Sequence, residues 1–518
     1  MKDNSHPAGL SRNTRLVILG VSSFTLLIHL YTNLFANYGI FRDEFYYLAC
    51  TNHLSAGYVD QPPLSIYILA VGKWLFGESL FAIRLIPAIT AAVTVYLTGL
   101  LTSEIGGKTI AVFTACITLA FSPIFLGMNT IFSMNTFDHL FWVLSAFLVV
   151  KIVQNDKPAL WILLGIVLGL GMMNKISMIW FGAGLYAGIL FTPLRASLKT
   201  IRPYLAAFIA LLIFSPFIIW NITHDFAHIE FIRSATEYKY NELTPADFIS
   251  GQLLLPGPVS ILVWLPGLVY LIISRELKKY RILGIIFIST VVILVLNWHS
   301  KAEYLAAAYP VVYAGGGVFI EKVILNKSFI WIKYALPSAI IISGIISMPL
   351  ALPILPVDIF IPYSKALGVA PQNSEHQELS ELPQFYADMF GWEDLARTVS
   401  SVYKLIPDSE KKSTVVIAGN YGEAGALDYY SSKYKLPTVI CPHNSYWYWA
   451  DPEHLNIKTV IVIGGKAEDH RSSCGDVTLA AVHRTKYSMP YENNLPIYIC
   501  RDILRPFKEI WKKARFFI

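Results

Sequence analysis

Long apolar runs separated by short polar connections fill the first two thirds of the chain. They lie near residues 16–36, 82–102, 110–126, 137–152, 159–173, 176–192, 204–222, 252–273, 282–298, 303–320 and 328–350. A membrane-crossing helix needs about 20 mostly apolar residues, so the shorter runs must include flanking residues or be only partly exposed to lipid. The pattern predicts a polytopic α-helical membrane protein with about eleven spans.

The pattern changes after three closely spaced prolines, Pro353, Pro356 and Pro362, which mark a boundary. Beyond them, short β-branched runs alternate with helical stretches. The predicted strands are Thr414–Ala418, Thr438–Cys441, Thr459–Ile463 and Ile497–Cys500, and the helical stretches include Trp392–Leu405 and Glu423–Tyr434. This alternation predicts a small α/β domain with a partly parallel sheet over residues 353–518, following a membrane domain over residues 1–352.

The composition supports a membrane protein. Only 15% of the residues are charged and 55% are hydrophobic, which excludes a disordered chain and an ordinary soluble enzyme. A net charge of +6 is too small to indicate a nucleic-acid partner.

Most Lys and Arg residues of the short connections fall on the side of the amino terminus, so the positive-inside rule places that side in the cytoplasm. The α/β domain and two long loops, 37–81 and 223–251, are then external. The stretch Ser65–Phe76 in the first loop is typical of an amphipathic helix at the membrane surface.

The first external loop holds the residues most suited to chemistry. Asp43 and Glu44 are adjacent directly after the first span. One interpretation is a general base with a supporting carboxylate, and the other is a solvated loop start in which Asp43 caps the next helix. Farther along, the Pro62-Pro63 pair forms either a plain turn or a rigid loop that fixes Asp60 and Gln61 above the bilayer.

These motifs, taken in order, resemble the membrane glycosyltransferases of family 39. The family includes protein O-mannosyltransferases and the lipid A aminoarabinose transferase, and the similarity is closest to its bacterial branch. The resemblance rests on Arg42-Asp43-Glu44, Tyr58–Leu64, Ile83–Pro87, Gly169–Lys175, Trp220–Asp225, Lys301–Leu305, Gly419–Ala426 and His443–Trp447.

The resemblance implies a C-type glycosyltransferase fold and an inverting transfer of sugar from a polyprenyl-phosphate carrier to an extracytoplasmic lipid, glycan or protein. It assigns the general base to Asp43, with Glu44 beside it. It also implies a bacterial inner-membrane protein of the cell envelope with its active site on the periplasmic side. Some members carry Lys where this chain has Gln61, so the donor phosphate requires another cation here. No cofactor is certain, and a divalent metal ion is left open.

The candidate substrate-binding residues are distributed over several external segments. They are Arg42, Tyr46, Asp60, Gln61, Arg84, Lys175, His224, Lys301 and Tyr304. Arg84, Lys175 and Lys301 are either phosphate contacts or residues that extend to the membrane surface. Lys175 is flanked by apolar residues, so its charge needs a partner. His224 with Asp225 is either a metal site or, more commonly, a capping pair.

Two features of the C-terminal domain leave alternatives open. Gly419, Gly422 and Gly425 form either an anion-binding turn or a tight glycine-lined turn. A disulfide could join two of Cys441, Cys474 and Cys500, and the sequence does not select the pair.

Two competing hypotheses concern the whole protein. The many spans also suit a transporter or a flippase for lipid carriers, although a transporter places polar residues near the middle of broken helices. The other is a receptor whose outer domain binds a glycan. The polar residues gather in the external loops, which favours the transferase. Its partners would be the lipid-linked donor, the acceptor and membrane lipids, with the sugar and the acceptor unspecified.

Overall fold

A computed structural model describes residues 10–240, 242–324, 329–369, 380–451 and 457–518. The chain divides into two compact units. The first comprises Met1–Ala36, Arg84–Pro216 and Glu242–Ile354, and the second comprises Asn37–Ile83, Phe217–Asn241 and Leu355–Ile518.

The first unit is helical. Its α-helices, two of which continue into the second unit, are Arg12–Phe35, Leu80–Glu104, Thr109–Ala120, Pro123–Met128, Met134–Gln154, Pro158–Asn174, Met178–Phe191, Arg202–Thr223, Pro245–Leu254, Ile261–Ile273, Arg281–Leu296, Tyr309–Phe319 and Ile332–Ala351. Short 3₁₀ turns, such as Ala302–Ala308, connect some of them. Every apolar run predicted from the sequence overlaps a helix, so the predicted positions of these helices are confirmed.

The number of full-length spans is smaller than the predicted count of about eleven. Among the described residues, six helices are long and apolar enough to cross a membrane, or seven if Pro245–Leu254 and Pro258–Ile273 form one span bent by 95°. The bend falls at Gly257, whose positive φ of 97° suits a residue without a side chain. Three of the other predicted runs form apolar helices of 10 to 17 residues, which are too short to qualify as spans by length. A fourth helix of this kind, Leu64–Phe76, covers the stretch predicted as an amphipathic helix.

The buried threonine side chains of one long helix are satisfied locally. In Leu80–Glu104, the hydroxyls of Thr90, Thr94, Thr98 and Thr102 each donate to the carbonyl four residues earlier, at 2.7 to 2.9 Å. A buried hydroxyl without a partner costs free energy, so these bonds let threonine occupy an apolar helix.

The second unit combines helices with one mixed sheet. Its α-helices are Arg42–Asn52, Leu64–Phe76, Ala227–Ser234, Val357–Ala366, Gln384–Ala387, Trp392–Lys404, Asp408–Lys411, Tyr421–Tyr434, Tyr446–Trp449, Ala467–Arg471 and Phe507–Ala514. The strands are β1 (Thr414–Ile417), β2 (Val439–Ile440), β3 (Thr459–Ile463), β4 (Cys474–His483) and β5 (Leu495–Ile503). The sheet order is β2-β1-β3-β5-β4.

The predicted partly parallel sheet is confirmed. β1 pairs in parallel with β2 and β3, whereas β5 pairs antiparallel with β3 and β4. The fully buried Val416 and Ile461, from β1 and β3, pack with Val399 of the helix Trp392–Lys404 in the core of this unit. The sequence analysis missed β4, an edge strand whose residues are mostly exposed or half-buried.

The compact units divide the chain differently from the single boundary predicted near residue 353. Residues 37–83 and 217–241, which cover the first predicted external loop and part of the second, group with residues 355–518. Three segments that are distant in sequence therefore build one body, and that body holds most of the candidate residues.

Candidate active site

The helix Arg42–Asn52 places Asp43 and Glu44 in its first turn. Glu44 is fully buried, and its Oε2 accepts a hydrogen bond from the backbone N–H of Phe41 at 2.9 Å. Glu44 therefore caps this helix, a role that one interpretation of the sequence gave to Asp43. Asp43 keeps 29% of its side chain exposed, so its carboxylate can be reached from solvent.

Two side chains hold the Asp43 carboxylate. The Tyr421 hydroxyl donates to Asp43 Oδ1 at 2.9 Å, and the Nε of Arg42 lies 3.4 Å from the same oxygen. Arg42 is fixed in turn, because its Nη1 donates to the Tyr491 hydroxyl at 2.8 Å and lies 3.6 Å from Asp388 Oδ2. This set of contacts therefore fixes the orientation of the Asp43 side chain.

Asp60 forms a second carboxylate–tyrosine pair. The Tyr46 hydroxyl donates to Asp60 Oδ1 at 2.6 Å. Burial of the carboxyl group raises the pKa of Asp60 to about 6, and the charge of Asp43 adds to the rise. The hydrogen bond from Tyr46 and the charge of Lys239 oppose it. Burial also raises the pKa of Tyr46 well above its ordinary value, so Tyr46 stays protonated and remains the donor.

The loop that carries Asp60 is anchored on both sides. The Val59 N–H donates to Ser445 Oγ at 3.0 Å, and the His228 Nδ1 lies 2.9 Å from the Val59 carbonyl oxygen. Gln61 is fully buried; its Oε1 lies 3.5 Å from Ser65 Oγ, and its Nε2 has no hydrogen-bond partner among the described residues. These contacts suit the rigid-loop interpretation of the Pro62-Pro63 segment.

A cavity of about 270 Å³ lies within the second unit, beside Asp43 and the side chains that hold it. Its lining comprises Arg42, Tyr238, Lys239, Asn420, Tyr421, His443, Tyr491, Phe516 and Ile518. Arg42 and Tyr421, the two residues that hold Asp43, are both part of this lining. Small-ligand sites are typically about 300–1,000 Å³, so the cavity has room for one small polar headgroup. Two cations and several aromatic rings suit an anionic group and a sugar ring.

The predicted substrate-binding residues fall into two groups. Arg42, Tyr46, Asp60, Gln61 and His224 belong to the second unit. His224 stacks on Trp220 with ring centroids 4.2 Å apart, and its Nδ1 lies 2.8 Å from the Trp220 carbonyl oxygen. These contacts tie His224 to the end of the helix Arg202–Thr223, in keeping with the capping interpretation.

The other four belong to the first unit, where Lys175 and Tyr304 come together. The Lys175 Nζ lies 5.6 Å from the centroid of the Tyr304 ring, 3.6 Å from Asp138 Oδ2 and 2.8 Å from Asn135 Oδ1. Asp138 is thus the partner that the charge of Lys175 requires.

Lys301 and Arg84 have separate surroundings in the first unit. The Lys301 Nζ lies 3.8 Å from Glu303 Oε1. The Arg84 residue is 2% exposed, and its carbonyl oxygen accepts from Asn33 Nδ2 at 3.1 Å. Their roles in donor binding stay predictions.

The glycines near the start of the helix Tyr421–Tyr434 act in packing. Asn420 caps this helix, and its Oδ1 accepts from the backbone N–H groups of Gly422 and Glu423 at 2.9 and 3.0 Å. A Cβ on Gly425 would lie 2.7 Å from the backbone carbonyl carbon of Phe45. Since these N–H groups are already bonded, the geometry favours the tight-turn interpretation over an anion site.

The structure bears on the two alternatives left open by the sequence, a disulfide and a metal site. All five cysteines are free thiols, including Cys441, Cys474 and Cys500. Within the described ranges, no three His, Cys, Asp or Glu side chains group in a way that could hold a metal ion.

Sequence reasoning missed several residues that line the cavity. Lys239 and Tyr238 lie in the second external loop, and the adjacent charged and aromatic types were the available signal. Tyr421 and His443 appeared only within motifs, with no role assigned. Tyr491 carried no signal, because its function follows from a contact with Arg42 that is 449 residues away in sequence.

Comparison with known proteins finds a similarity to one family over part of the chain. The family model described as dolichyl-phosphate-mannose-protein mannosyltransferase matches residues 60–220. A sequence comparison with curated proteins finds no match.

Comparison with solved structures extends the likeness to nearly the whole chain. ArnT from Cupriavidus metallidurans bound to undecaprenyl phosphate is 9% identical, with a TM-score of 0.61, covering 94% of this chain and 97% of that one. Its apo form gives 10% identity and a TM-score of 0.62, covering 93% and 97%. The apo oligosaccharyltransferase of Archaeoglobus fulgidus is 13% identical with a TM-score of 0.52, covering 86% of this chain and 69% of that one.

The shared architecture defines the class: an integral membrane protein with the C-type fold of these glycosyltransferases and a C-terminal domain containing a small sheet. Within that class, residues 60–220 are similar to the family described as dolichyl-phosphate-mannose-protein mannosyltransferase. The resemblance found in the sequence motifs is thereby confirmed.

Proposed function

We propose that this protein transfers a sugar from a polyprenyl-phosphate carrier to a hydroxyl-bearing acceptor, with inversion at the anomeric carbon and with Asp43 as general base. The family match and the fold support the class of donor, since ArnT of the same fold has been solved with undecaprenyl phosphate. The acceptor is a lipid, a glycan or a protein.

One observation carries the proposal: an accessible, oriented carboxylate beside a cationic cavity. Asp43 is 29% exposed and is bonded to two residues of the cavity wall, Arg42 and Tyr421. Both contacts fall on Oδ1, so Oδ2 is the oxygen that would accept a proton. A positioned carboxylate of this kind contributes typically 10²- to 10⁴-fold to a rate.

The chemistry balances without an enzyme nucleophile. The acceptor oxygen attacks the anomeric carbon while its proton passes to Asp43, and the bond between that carbon and the phosphate oxygen breaks. The lipid phosphate leaves with the electron pair, and a single displacement inverts the configuration. Arg42 and Lys239 offer positive charge where the phosphate becomes more negative. They are the cations we propose in place of the one absent at Gln61.

Asp60 has a supporting role in this proposal. Its carboxyl group, whose pKa burial raises to about 6, lies near enough to both Asp43 and Lys239 to interact with their charges. We assign it, with Tyr46 and Gln61, to the wall that orients the sugar. Arg84, Lys175, His224, Lys301 and Tyr304 stay proposed contacts for the carrier or the acceptor.

The proposed location is the bacterial inner membrane, with Asp43 and the C-terminal domain outside the cytoplasm. The bias of Lys and Arg toward the opposite connections supports this orientation.

The test measures release of undecaprenyl phosphate by the purified full-length protein in lipid nanodiscs. The donors are undecaprenyl-phosphate-linked mannose, glucose and aminoarabinose, and a cell-envelope extract supplies acceptors. Asp43→Asn should reduce the rate with the active donor about 10²- to 10⁴-fold, because the acceptor proton loses its base.

The matched control is Asp428→Asn. Asp428 accepts a hydrogen bond from the Tyr446 hydroxyl at 2.7 Å in the same unit, but it is not part of the cavity wall. This variant should transfer sugar at the wild-type rate. Full activity of Asp43→Asn would remove Asp43 from its assigned role, and no release from any lipid-linked donor would contradict the transferase.

A further inference from the structure

The C-terminal domain delivers a side chain directly to the proposed base. Tyr421 is the first residue of the helix Tyr421–Tyr434, which follows β1 after a three-residue connection, and its hydroxyl donates to Asp43 Oδ1 at 2.9 Å. The two residues are 378 positions apart in sequence. The contact therefore depends on the tertiary fold and not on local structure.

Close packing between two helices brings Tyr421 to this position. Gly425 lies against the backbone of Phe45 so tightly that a Cβ there would be 2.7 Å from a carbonyl carbon, and a Cβ on Gly422 would overlap the side chain of Arg42. The helix Tyr421–Tyr434 can lie this close to the helix Arg42–Asn52 because both positions are glycine. Asn420, the cap of the helix, fixes the backbone beside Tyr421.

The Tyr421 ring is held on several sides. Its centroid lies 5.0 Å from that of Tyr46, 4.8 Å from that of His443 and 5.5 Å from the guanidinium carbon of Arg42. A ring with these neighbours has little freedom to rotate away, so its hydroxyl presents a fixed donor to Asp43.

We infer that Tyr421 is a positioning residue for Asp43, a role that rests on the proposed function. Its O–H occupies Oδ1 and so directs Oδ2 toward the acceptor hydroxyl. The C-terminal domain is then a structural part of the catalytic machinery, in addition to any part in choosing the acceptor. A base displaced by about 1 Å can lose about 10²-fold in rate, which sets the scale of the expected effect.

The experiment compares Tyr421→Phe with wild type in the donor-release assay. Phenylalanine keeps the ring and its packing and removes only the hydroxyl. We expect kcat to fall about 10- to 100-fold with the KM for the lipid-linked donor within about twofold of wild type. A residue that bound the donor directly would raise KM instead.

Tyr434→Phe is the matched control. Tyr434 lies at the other end of the same helix, and its hydroxyl donates to Glu393 Oε1 at 2.7 Å. This variant should keep both kcat and KM, and both variants should unfold within a few degrees of wild type. Equal thermal stability separates a loss of positioning from a loss of folding.

The outcomes distinguish this inference from the proposal on which it rests. If Asp43→Asn is inactive while Tyr421→Phe keeps its kcat, or changes KM alone, the positioning role is overturned and the base assignment stands. If Asp43→Asn is fully active, the base assignment fails first. If Tyr421→Phe does not fold, Tyr421→His is measured instead, because its ring N–H restores a hydrogen-bond donor. A folded Tyr421→His should keep part of kcat, and a folded Tyr421→His that has lost kcat would count against the role.

Discussion

Two aspartates with basic neighbours show how differently this chain uses its few charges. In the first unit, Asp138 is 5% exposed, lies 3.6 Å from the Lys175 Nζ and accepts the Ser177 hydroxyl at both oxygens, at 3.2 and 3.1 Å. In the second unit, Asp43 is 29% exposed and takes both of its contacts, from Arg42 and Tyr421, on one oxygen.

The difference separates a structural ion pair from the carboxylate that we propose as the general base. The surroundings of Asp138 satisfy both carboxylate oxygens, so that pair can hold helices together without a ligand. Asp43 is oriented on one side and accessible on the other, as a proton acceptor must be. Both aspartates have a nearby cation, so the cation does not distinguish Asp138 from Asp43. The difference is that one carboxylate oxygen of Asp43 stays accessible.

The largest stability effect should come from breaking the first pair. Lys175→Met leaves the Asp138 carboxylate buried without its cation, and we expect the free energy of unfolding to fall by about 3–5 kcal/mol. Thermal and denaturant unfolding in one detergent measure it. The double variant Lys175→Met with Asp138→Asn removes both charges and should recover most of the loss.

The same double variant tests the predicted role of Lys175 in donor binding. A stable double variant with an unchanged KM for the donor would assign Lys175 to structure alone, and a raised KM would support the donor contact. A single Lys175→Met variant as stable as wild type would break the comparison, because the pair would then not be structural.

Asp60 offers a pH-dependent test of intermediate size. Burial raises its pKa from 3.8 to about 6, so the folded state binds its proton more tightly than the unfolded state, and stability falls as the pH rises through about 4 to 6. Asp60→Asn cannot ionise. It should be more stable than wild type above pH 6, by up to about 3 kcal/mol, with the difference vanishing below about pH 4.

Asp428→Asn is a useful comparison for Asp60→Asn, because burial also raises the pKa of Asp428 to about 6. Unfolding curves of both Asn variants at several pH values should show the same direction of change. Only Asp60→Asn should also slow sugar transfer. An Asp60→Asn variant less stable than wild type at pH 7 would contradict the cause we assign to the raised pKa.

The smallest effect should come from the helix contact beside Asp43. Gly425→Ala introduces a methyl group 2.7 Å from the backbone of Phe45, and we expect a loss of about 1–3 kcal/mol in unfolding free energy, with slower transfer. Gly182→Ala is the control, because the structure places no atom within 4 Å of a Cβ there. Unchanged stability of Gly425→Ala would show that the two helices can separate without cost.

The sequence predicted the helices of the first unit well, because an apolar run of sufficient length has few alternatives to a helix in lipid. Four strands of the sheet were also visible as short β-branched runs. β4 was not, since its residues are mostly exposed at the sheet edge. The grouping of residues 37–83 with residues 355–518 was not visible either, because it depends on contacts between distant segments.

The site was predictable only in part, for the same reason. Asp43 was singled out by its position after the first span, but sequence spacing did not show that Glu44 would cap the helix. Lys239, Tyr421 and Tyr491 reach the same cavity from three separate segments. Local sequence patterns predict local structure, and they do not predict that distant segments meet at one cavity.

The bond between Tyr421 and Asp43 also has a consequence for the timing of synthesis. At about 5–20 residues per second, the 378 residues between the two take about 20 to 75 seconds to translate. During that interval the carboxylate exists without the hydroxyl that orients it. A ribosome that stalls before Tyr421 would leave a chain in which Asp43 lacks this contact, so the orientation that we propose for the base arises only after most of the chain has been made.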